Sequence, residues 1–206
     1  MYFVKTPRWL KKIYGNYIWD IKADTPTLYL TFDDGPHPEV TYFVLNELEK
    51  YNAKATFFCI GKNVLLYPHV YKAILDKGHA IGNHTHNHFN GWKTPLQAYI
   101  DNVAQCEQYV QSSLFRPPYG RIKNSQAKYL RNKGFSIIMW DVLSGDFDTS
   151  IDGNKCSSNV INNAASGSII VFHDSEKAFE RLKYALPATL DYFSRKGYSF
   201  KPLDII

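Results

Sequence analysis

The sequence predicts an α/β fold built on a mainly parallel sheet, either open or closed into a barrel, and two patterns lead there. Short apolar stretches of strand length alternate along the chain with stretches whose apolar residues recur every three or four positions. At Lys77-Gly78, Lys133-Gly134 and Lys196-Gly197 a helical pattern ends in a Lys-Gly pair and an extended apolar stretch follows at once. Glycine tolerates the left-handed conformation that closes a helix, and lysine suits the negative end of its dipole. Each pair therefore marks a helix-to-strand junction.

Seven strands are expected, at Leu28–Asp33, Ala55–Cys59, Ala80–His84, Leu114–Pro117, Ser136–Asp141, Ser168–His173 and Ser199–Leu203. Between them lie helical patterns such as Leu96, Tyr99, Ile100, Val103 and Leu182, Leu186, Leu190, Phe193, each with one apolar face. Pro187 falls inside the last pattern and is expected to open a helix or kink one. With 45% hydrophobic and 21% charged residues the chain can bury one sizeable core, and no linker or low-complexity tract divides it. Residues 26–206 are accordingly read as a single domain.

Residues 1–25 form a separate opening segment. Lys5, Arg8, Lys11 and Lys12 are interleaved there with Trp9, Leu10, Ile13, Tyr14 and Trp19, a mixture suited to an interfacial membrane helix or to a terminal segment packed on the barrel. Pro7 and Gly15 interrupt any long helix, so packing on the barrel is the expectation.

Composition narrows the partners. The net charge of +5 comes with no dense basic run, which argues against nucleic acid. Cys59, Cys106 and Cys156 are odd in number and unpaired in spacing, against both a disulfide scaffold and a C-x-x-C metal site. No apolar run approaches the ~20 residues of a membrane span, and the first thirty residues lack a signal-peptide core. The expectation is a soluble monomer, with the cytoplasm as default compartment and the cell envelope as the alternative. Aromatic residues make up 16% of the chain; an aromatic-rich core is the commoner cause, and rings lining a sugar groove are the functional one.

Three constellations carry chemistry. In Thr31-Phe32-Asp33-Asp34-Gly35-Pro36 an apolar strand runs into two adjacent carboxylates, at the strand end where α/β folds place their sites. Taken alone it reads as a turn, since Asp, Gly and Pro are common turn formers. In Asn83-His84-Thr85-His86-Asn87-His88, His84 and His88 are four apart, so on a helical turn both imidazoles point the same way and can grip one ion. His86 lies outside that pair as a bystander. Two imidazoles and one carboxylate leave positions open for water, as catalytic sites require. Further on, His173 ends the apolar run Ile169-Ile170-Val171-Phe172 and is expected at the same rim as Asp33 and His84.

Asp-Asp-Gly-Pro at 33–36, His-Thr-x-x-His at 84–88, Arg-Pro-Pro-Tyr at 116–119, the Ser-Gly-Asp turn ending at Asp146 and the strand-end His173 together resemble the five motifs of the NodB-type polysaccharide deacetylases, carbohydrate esterase family 4. The match runs from Thr31 to Asp174. The resemblance implies a distorted (β/α)7 barrel, TIM-barrel-like, and a metal-dependent hydrolase that removes N-acetyl or O-acetyl groups from a glycan such as chitin oligomers or peptidoglycan. It implies Asp34, His84 and His88 as ligands of a divalent metal, zinc first, with cobalt and nickel as alternatives. It further implies Asp33 as general base, His173 as general acid, Arg116 as the group that orients Asp33, Asp146 as the group that tunes His173, and the Tyr119 N–H as an oxyanion donor.

Three positions depart from the family pattern. Leu143 stands where an aspartate is common, Phe147 where tryptophan is common and Val171 where leucine is usual. These bear on the pocket for the acyl methyl. Two alternatives are a cyclic imide or ureide hydrolase on the same fold and a catalytically silent glycan-binding protein. The first is associated with altered motifs and the second with a lost base, acid or ligand, and here all of them are in place.

Overall fold

The alternating apolar stretches fold into one curled sheet of parallel strands with helices packed outside it. The computed structural model describes residues 2–204; Met1, Ile205 and Ile206, at the ends of the two expected segments, lie outside the described residues. In chain order the elements are α1 (Arg8–Ile13), β1 (Thr27–Asp33), α2 (Val40–Lys50), β2 (Thr56–Cys59), α3 (Gly61–Leu66), α4 (Pro68–Asp76), β3 (Ala80–Asn83), α5 (Leu96–Glu107), β4 (Leu114–Phe115), α6 (Asn124–Asn132), β5 (Ser136–Ile137), β6 (Val142–Leu143), α7 (Gly153–Ile161), β7 (Ile169–His173), α8 (Glu176–Arg195) and β8 (Ser199–Phe200). Single 3₁₀ turns lie at Gly91–Lys93 and Pro118–Gly120.

The sheet order is β5-β4-β3-β2-β1-β7-β6, and every ladder between these strands is parallel. β1 is central. Its residue Asp33 sits opposite Phe58 of β2 and His173 of β7, Cys59 pairs with Asn83, and Asn83 with Phe115. That register brings Asp33, His84, Arg116 and His173 to one rim. β8 fills the start of the β1–β2 seam, where Lys201 N donates to Leu28 O and Lys54 N to Phe200 O.

Because side chains alternate across a strand, β1 serves two layers. Leu28, Leu30 and Phe32 point to the helices and join a core with Val44, Leu45 and Leu48 of α2 and Leu182, Leu186 and Leu190 of α8. Phe32 stacks on Phe57 at 5.1 Å and Phe172 at 6.0 Å. Full burial of each such side chain contributes roughly 1.5–3 kcal/mol. Thr31 and Asp33 face the barrel interior, above an apolar floor of Phe58, Leu114, Ile138, Ile169 and Leu203.

The three Lys-Gly junctions form as expected. Lys77, Lys133 and Lys196 are the C-caps of α4, α6 and α8, and Gly78, Gly134 and Gly197 follow with φ of 72°, 92° and 76°. Three strand expectations need correction, one of them Ser199–Leu203, which ends at Phe200. The expected strand Ser136–Asp141 ends at Ile137, and a separate strand β6 forms at Val142–Leu143. The chain breaks there because the carbonyls of Ile138 and Met139 accept from the Arg116 side chain while Met139 N donates to Ile18 O, so the sheet ladder cannot continue. β4 is likewise cut to two residues by Pro117 and Pro118. Pro187 lies mid-helix in α8, which loses one hydrogen bond at that point without ending.

The edges of β5 and β6 are bridged by the opening segment. Ile18 pairs with β5 through Ile18 N to Ile137 O, and Val4 pairs with β6 by accepting from Leu143 N. Trp19 is buried, whereas Trp9 and Ile13 of α1 face solvent. No helix among the described residues is long and apolar enough to cross a membrane. The segment is latched by Asp141, whose carboxylate accepts from Lys5 at 2.5 Å, Lys11 at 2.6 Å and Ser168 at 2.5 Å. Burial works to raise the Asp141 pKa, but these hydrogen bonds outweigh it and hold the carboxyl below its ordinary range.

Replacing Asp141 by Ala leaves two lysines without their partner. The expected loss is about 1–3 kcal/mol, below the range for a fully buried pair because Lys5 is 41% exposed. Urea denaturation checks it, and limited proteolysis is expected to cut the variant faster within residues 2–25. The native pKa of Asp141 is depressed, so the latch is complete above the ordinary carboxylate pKa and is lost as pH falls through the lower native value.

Candidate active site

At the rim, the largest buried charge is Arg116, which has no exposed surface. Its Nη1 donates to Asp33 Oδ1 at 2.7 Å and Thr31 Oγ1 at 2.6 Å, Nη2 to Met139 O at 3.0 Å and Nε to Ile138 O at 3.3 Å. The guanidinium also lies 4.1 Å from the Phe58 ring centre. Burial lowers the Arg116 pKa and the Asp33 charge opposes it. With Oδ1 of Asp33 held this way, its other oxygen faces the cavity.

The backbone of Arg116 serves a second group. His84 Nδ1 lies 2.7 Å from the Arg116 carbonyl. A carbonyl only accepts, so Nδ1 carries the proton and Nε2 presents its lone pair. Burial drives the His84 pKa down to about 4, which keeps the ring neutral. His88 Nε2 is 3.1 Å and His84 Nε2 3.7 Å from Asp34 Oδ1, and one donor atom from each of the three residues lies within 4.8 Å of the others. Asp34 Oδ1 is buried with no hydrogen-bond donor. Burial would raise the Asp34 pKa, but the close approach of the His88 ring and the charges of His173, His84 and His88 hold it well below the carboxylate range. An ionised, unpaired carboxylate oxygen beside two imidazole nitrogens is a donor set that fits a divalent cation.

The spacing of His84 and His88 works through a loop rather than the expected helical turn. β3 ends at Asn83, and Thr85 and His88 both take positive φ, 63° and 55°. Asn83 Oδ1 accepts Thr85 N at 2.9 Å, and Asn102 Oδ1 accepts His86 N at 3.0 Å and Asn87 N at 2.9 Å. His86 is outside the triad, with its ring centre 5.7 Å from that of Tyr109. Asp34 and Tyr119 also have positive φ, 80° and 61°. Four non-glycine residues in left-handed geometry at one rim mark strain held by the surrounding bonds.

Opposite the triad, His173 Nδ1 lies 2.7 Å from Asp146 Oδ1, and Asp146 Oδ2 accepts the His173 N–H at 2.7 Å. Burial lowers the His173 pKa, but the charge and hydrogen bond of Asp146, with the charges of Asp34 and Asp33, push it up to about 10. The ring is therefore protonated near neutral pH. Phe147 meets it edge-on at 5.4 Å. A cavity of about 570 Å³ opens over Asp33, the triad and His173, with Tyr119, Trp140, Leu143, Phe147 and Val171 as its apolar wall. The backbone N–H of Tyr119 has no intramolecular acceptor among the described residues.

Of the eight residues singled out in the sequence, six line one cavity, and the buried Arg116 and Asp146 stand behind it on Asp33 and His173. The sequence reading missed their supports. Thr31 shares the face of Asp33 and could have been found from the two-residue period of β1. Asn63 Nδ2 donates to Asp34 O at 2.7 Å. Asp174, buried, accepts from Gly35 N at 3.0 Å and Thr41 Oγ1 at 2.5 Å, and burial pushes its carboxyl up to about 8. A Cβ on Gly35 would collide with that carboxylate, so the turn after Asp34 requires glycine. Nothing local marks Asn63 or Asn102, which reach the site only through the tertiary fold.

Comparison with known proteins gives a consistent picture. The family model described as polysaccharide deacetylase matches residues 20–138. A peptidoglycan-N-acetylglucosamine deacetylase of Bacillus cereus is 36% identical over 152 residues, covering 71% of this chain and 55% of that protein, so the match spans little over half the length of this relative. A second B. cereus protein of the same name is 35% identical over 192 residues and is covered to 90%, as is this chain. The crystal structure of the Bc1960 peptidoglycan N-acetylglucosamine deacetylase, in complex with 4-naphthalen-1-yl-N-oxidanyl-benzamide, superposes with a TM-score of 0.88 at 30% identity over 96% of this chain and 95% of that one.

Removing the Arg116 side chain leaves Asp33 buried and unpaired and strips donors from two carbonyls. Arg116→Ala is expected to cost about 3–5 kcal/mol, the range for breaking a buried pair, and to lower Tm by roughly 10 °C in a chain of this size. Calorimetry checks this; a shift of only a degree or two would mean that the guanidinium is not the support described.

Proposed function

The chain belongs to the polysaccharide deacetylase family, and on that footing we propose that it is a hydrolase removing N-acetyl groups from an amino-sugar glycan, with peptidoglycan ahead of chitin oligomers as substrate. The observation that carries the proposal is the convergence of a positioned carboxylate, a metal-suited triad and an imidazole bonded to a buried carboxylate on one cavity. We take residues 26–206 as the deacetylase domain and residues 1–25 as the segment that completes its sheet edge.

Asp34, His84 and His88 would hold the divalent ion, with zinc preferred and cobalt or nickel as substitutes. When bound, such an ion polarises the amide carbonyl and acidifies the attacking water. Asp33 takes the proton from that water through the oxygen that Arg116 leaves uncovered. Arg116 holds Asp33 fixed through the 2.7 Å contact to its Oδ1, which fits a base that must meet water in one orientation. The Tyr119 N–H donates to the carbonyl oxygen as negative charge gathers on it; one such donor is commonly worth about 10²–10³ in rate. His173 then gives its Nε2 proton to the departing nitrogen, without which the amine is a poor leaving group. Asp146 occupies Nδ1 and so leaves Nε2 as the donor. Leu143, Phe147 and Val171 form the wall against the acyl methyl, and the shorter Val171 widens it slightly.

Acetate release from peptidoglycan fragments and N-acetylglucosamine oligomers, by protein stripped with chelator and then given zinc or cobalt, tests the proposal. Restored activity is expected, with Asp33→Asn lowering kcat by about 10²-fold or more. If a tightly bound ion brings no acetate from any of these substrates, the reaction assignment falls.

The pH profile tests the acid. A general acid must be protonated, so activity declines as pH rises through the pKa of His173. Asp146→Asn removes the leading cause that raises this pKa, and the alkaline limb of kcat/KM is expected to move to lower pH. An unmoved limb would assign the leaving-group proton to another residue.

A further inference from the structure

One side chain of the opening segment, Tyr2, reaches the wall of the catalytic cavity. Backbone pairing a few residues further on carries it there, where Val4 O accepts from Leu143 N and Thr6 N donates to Asp141 O, each at 2.8 Å. Its ring meets Phe147 edge-on at 5.1 Å, and Phe147 in turn meets the His173 imidazole at 5.4 Å. Its hydroxyl donates to Asp148 Oδ2 at 2.9 Å. We propose that Tyr2 is a positioning residue for His173, acting through the loop of residues 144–148; the proposal rests on the reading of His173 as the group that protonates the leaving nitrogen.

The loop carries both groups that orient the imidazole. Asp146 Oδ1 lies 2.7 Å from Nδ1 and Phe147 stands against the ring, so a displaced loop turns the ring and moves Nε2 with it. Toward the helices the loop is tied by Asn159 Nδ2 of α7, which donates to Ser144 O at 2.9 Å, and by Arg181 Nε of α8, which donates to Asp146 O at 2.6 Å. Toward the cavity its support is Tyr2, which meets Gly145, Phe147 and Asp148 together. A Cβ on Gly145 would lie 2.8 Å from the Tyr2 hydroxyl oxygen, and Gly145 has a φ of 82°, so the close approach and the backbone both call for glycine. Ser150 N and Oγ bond Asp148 Oδ1 at 2.9 and 2.6 Å, which leaves Oδ2 for Tyr2. Burial and then the hydrogen bond to Asp148 push the Tyr2 pKa up to about 12, so the hydroxyl keeps its proton and stays a donor near neutral pH.

The size of the effect follows from what an acid must do. A proton passes only over hydrogen-bond distance, and a misplacement of ~1 Å costs up to about 10²-fold in rate. The ties to α7 and α8 remain when Tyr2 is removed, so the loop shifts by less and the expected loss is about tenfold. Since the acid acts in the transition state, the loss falls on kcat and leaves KM nearly constant.

The test takes two readouts on the zinc-loaded full chain. One is acetate release from N-acetylglucosamine oligomers and peptidoglycan fragments. The other is the proton NMR signal of the His173 Nδ1–H, which the bond to a carboxylate sets far downfield and which is identified by its absence in His173→Gln. Tyr2→Ala is expected to lower kcat about tenfold at near-constant KM and to broaden that signal through faster exchange with water. Tyr2→Phe keeps the ring on Phe147 and is expected to restore most of both. Phe3→Ala, at an exposed neighbour, is expected to leave both at the wild-type level. An unaltered signal in Tyr2→Ala overturns the proposal, and so does an unaltered kcat or a change confined to KM, which would make Tyr2 a substrate contact. An equal loss in Phe3→Ala overturns it too, by assigning the effect to the segment as a whole. If wild type itself releases no acetate, the reaction reading falls, and the Nδ1–H signal alone still decides whether Tyr2 holds the imidazole.

Discussion

A guanidinium with no exposed surface sits where the interior of most parallel barrels holds aliphatic side chains. Burying one charge in this way costs several kcal/mol, and Arg116 offsets the cost by meeting Asp33, Thr31 and the carbonyls of Ile138 and Met139 with its donors. The same contacts end β5, turn the chain toward β6 and leave the seam that the opening segment closes. Through its carbonyl, Arg116 also sets the tautomer of His84. One residue therefore fixes the orientation of the carboxylate proposed as base, directs an imidazole at Asp34 and shapes the sheet edge. Its neighbours are organised around satisfying it.

Much of this was legible in the sequence because it rests on local signals. The three Lys-Gly pairs located helix ends, and the apolar runs ending at Asp33 and His173 located the two central strands whose register brings the site together. His84 and His88 were found from their spacing, although the geometry that unites them is a strained loop rather than a helical turn. The division of residues 136–143 between two strands was not legible, because it depends on Arg116 and Ile18, distant in sequence. Asn63, Asn102 and Asp174 escaped for the same reason. Each is an ordinary polar residue whose importance lies in which loop the fold brings to it.

The two halves of the site show how environment divides like groups. Asp33 and Asp34 are adjacent carboxylates, yet one is paired with a buried cation and the other is left with an orphaned oxygen beside two imidazoles. His84 and His173 are both strand-end histidines. Burial holds the first neutral, while Asp146 holds the second protonated. A set of groups poised in opposite ionisation states at one cavity is what amide hydrolysis needs, since water must lose a proton and the amine must gain one.

The most direct test of this account is a titration of cobalt(II) into the metal-free chain, followed by visible absorption. The account predicts saturation at one ion per chain, with a spectrum typical of a low-coordinate nitrogen–oxygen site that is lost in His88→Ala. Absence of binding, or a spectrum unaltered by His88→Ala, would show that Asp34, His84 and His88 do not form a metal centre and would contradict the account at its base.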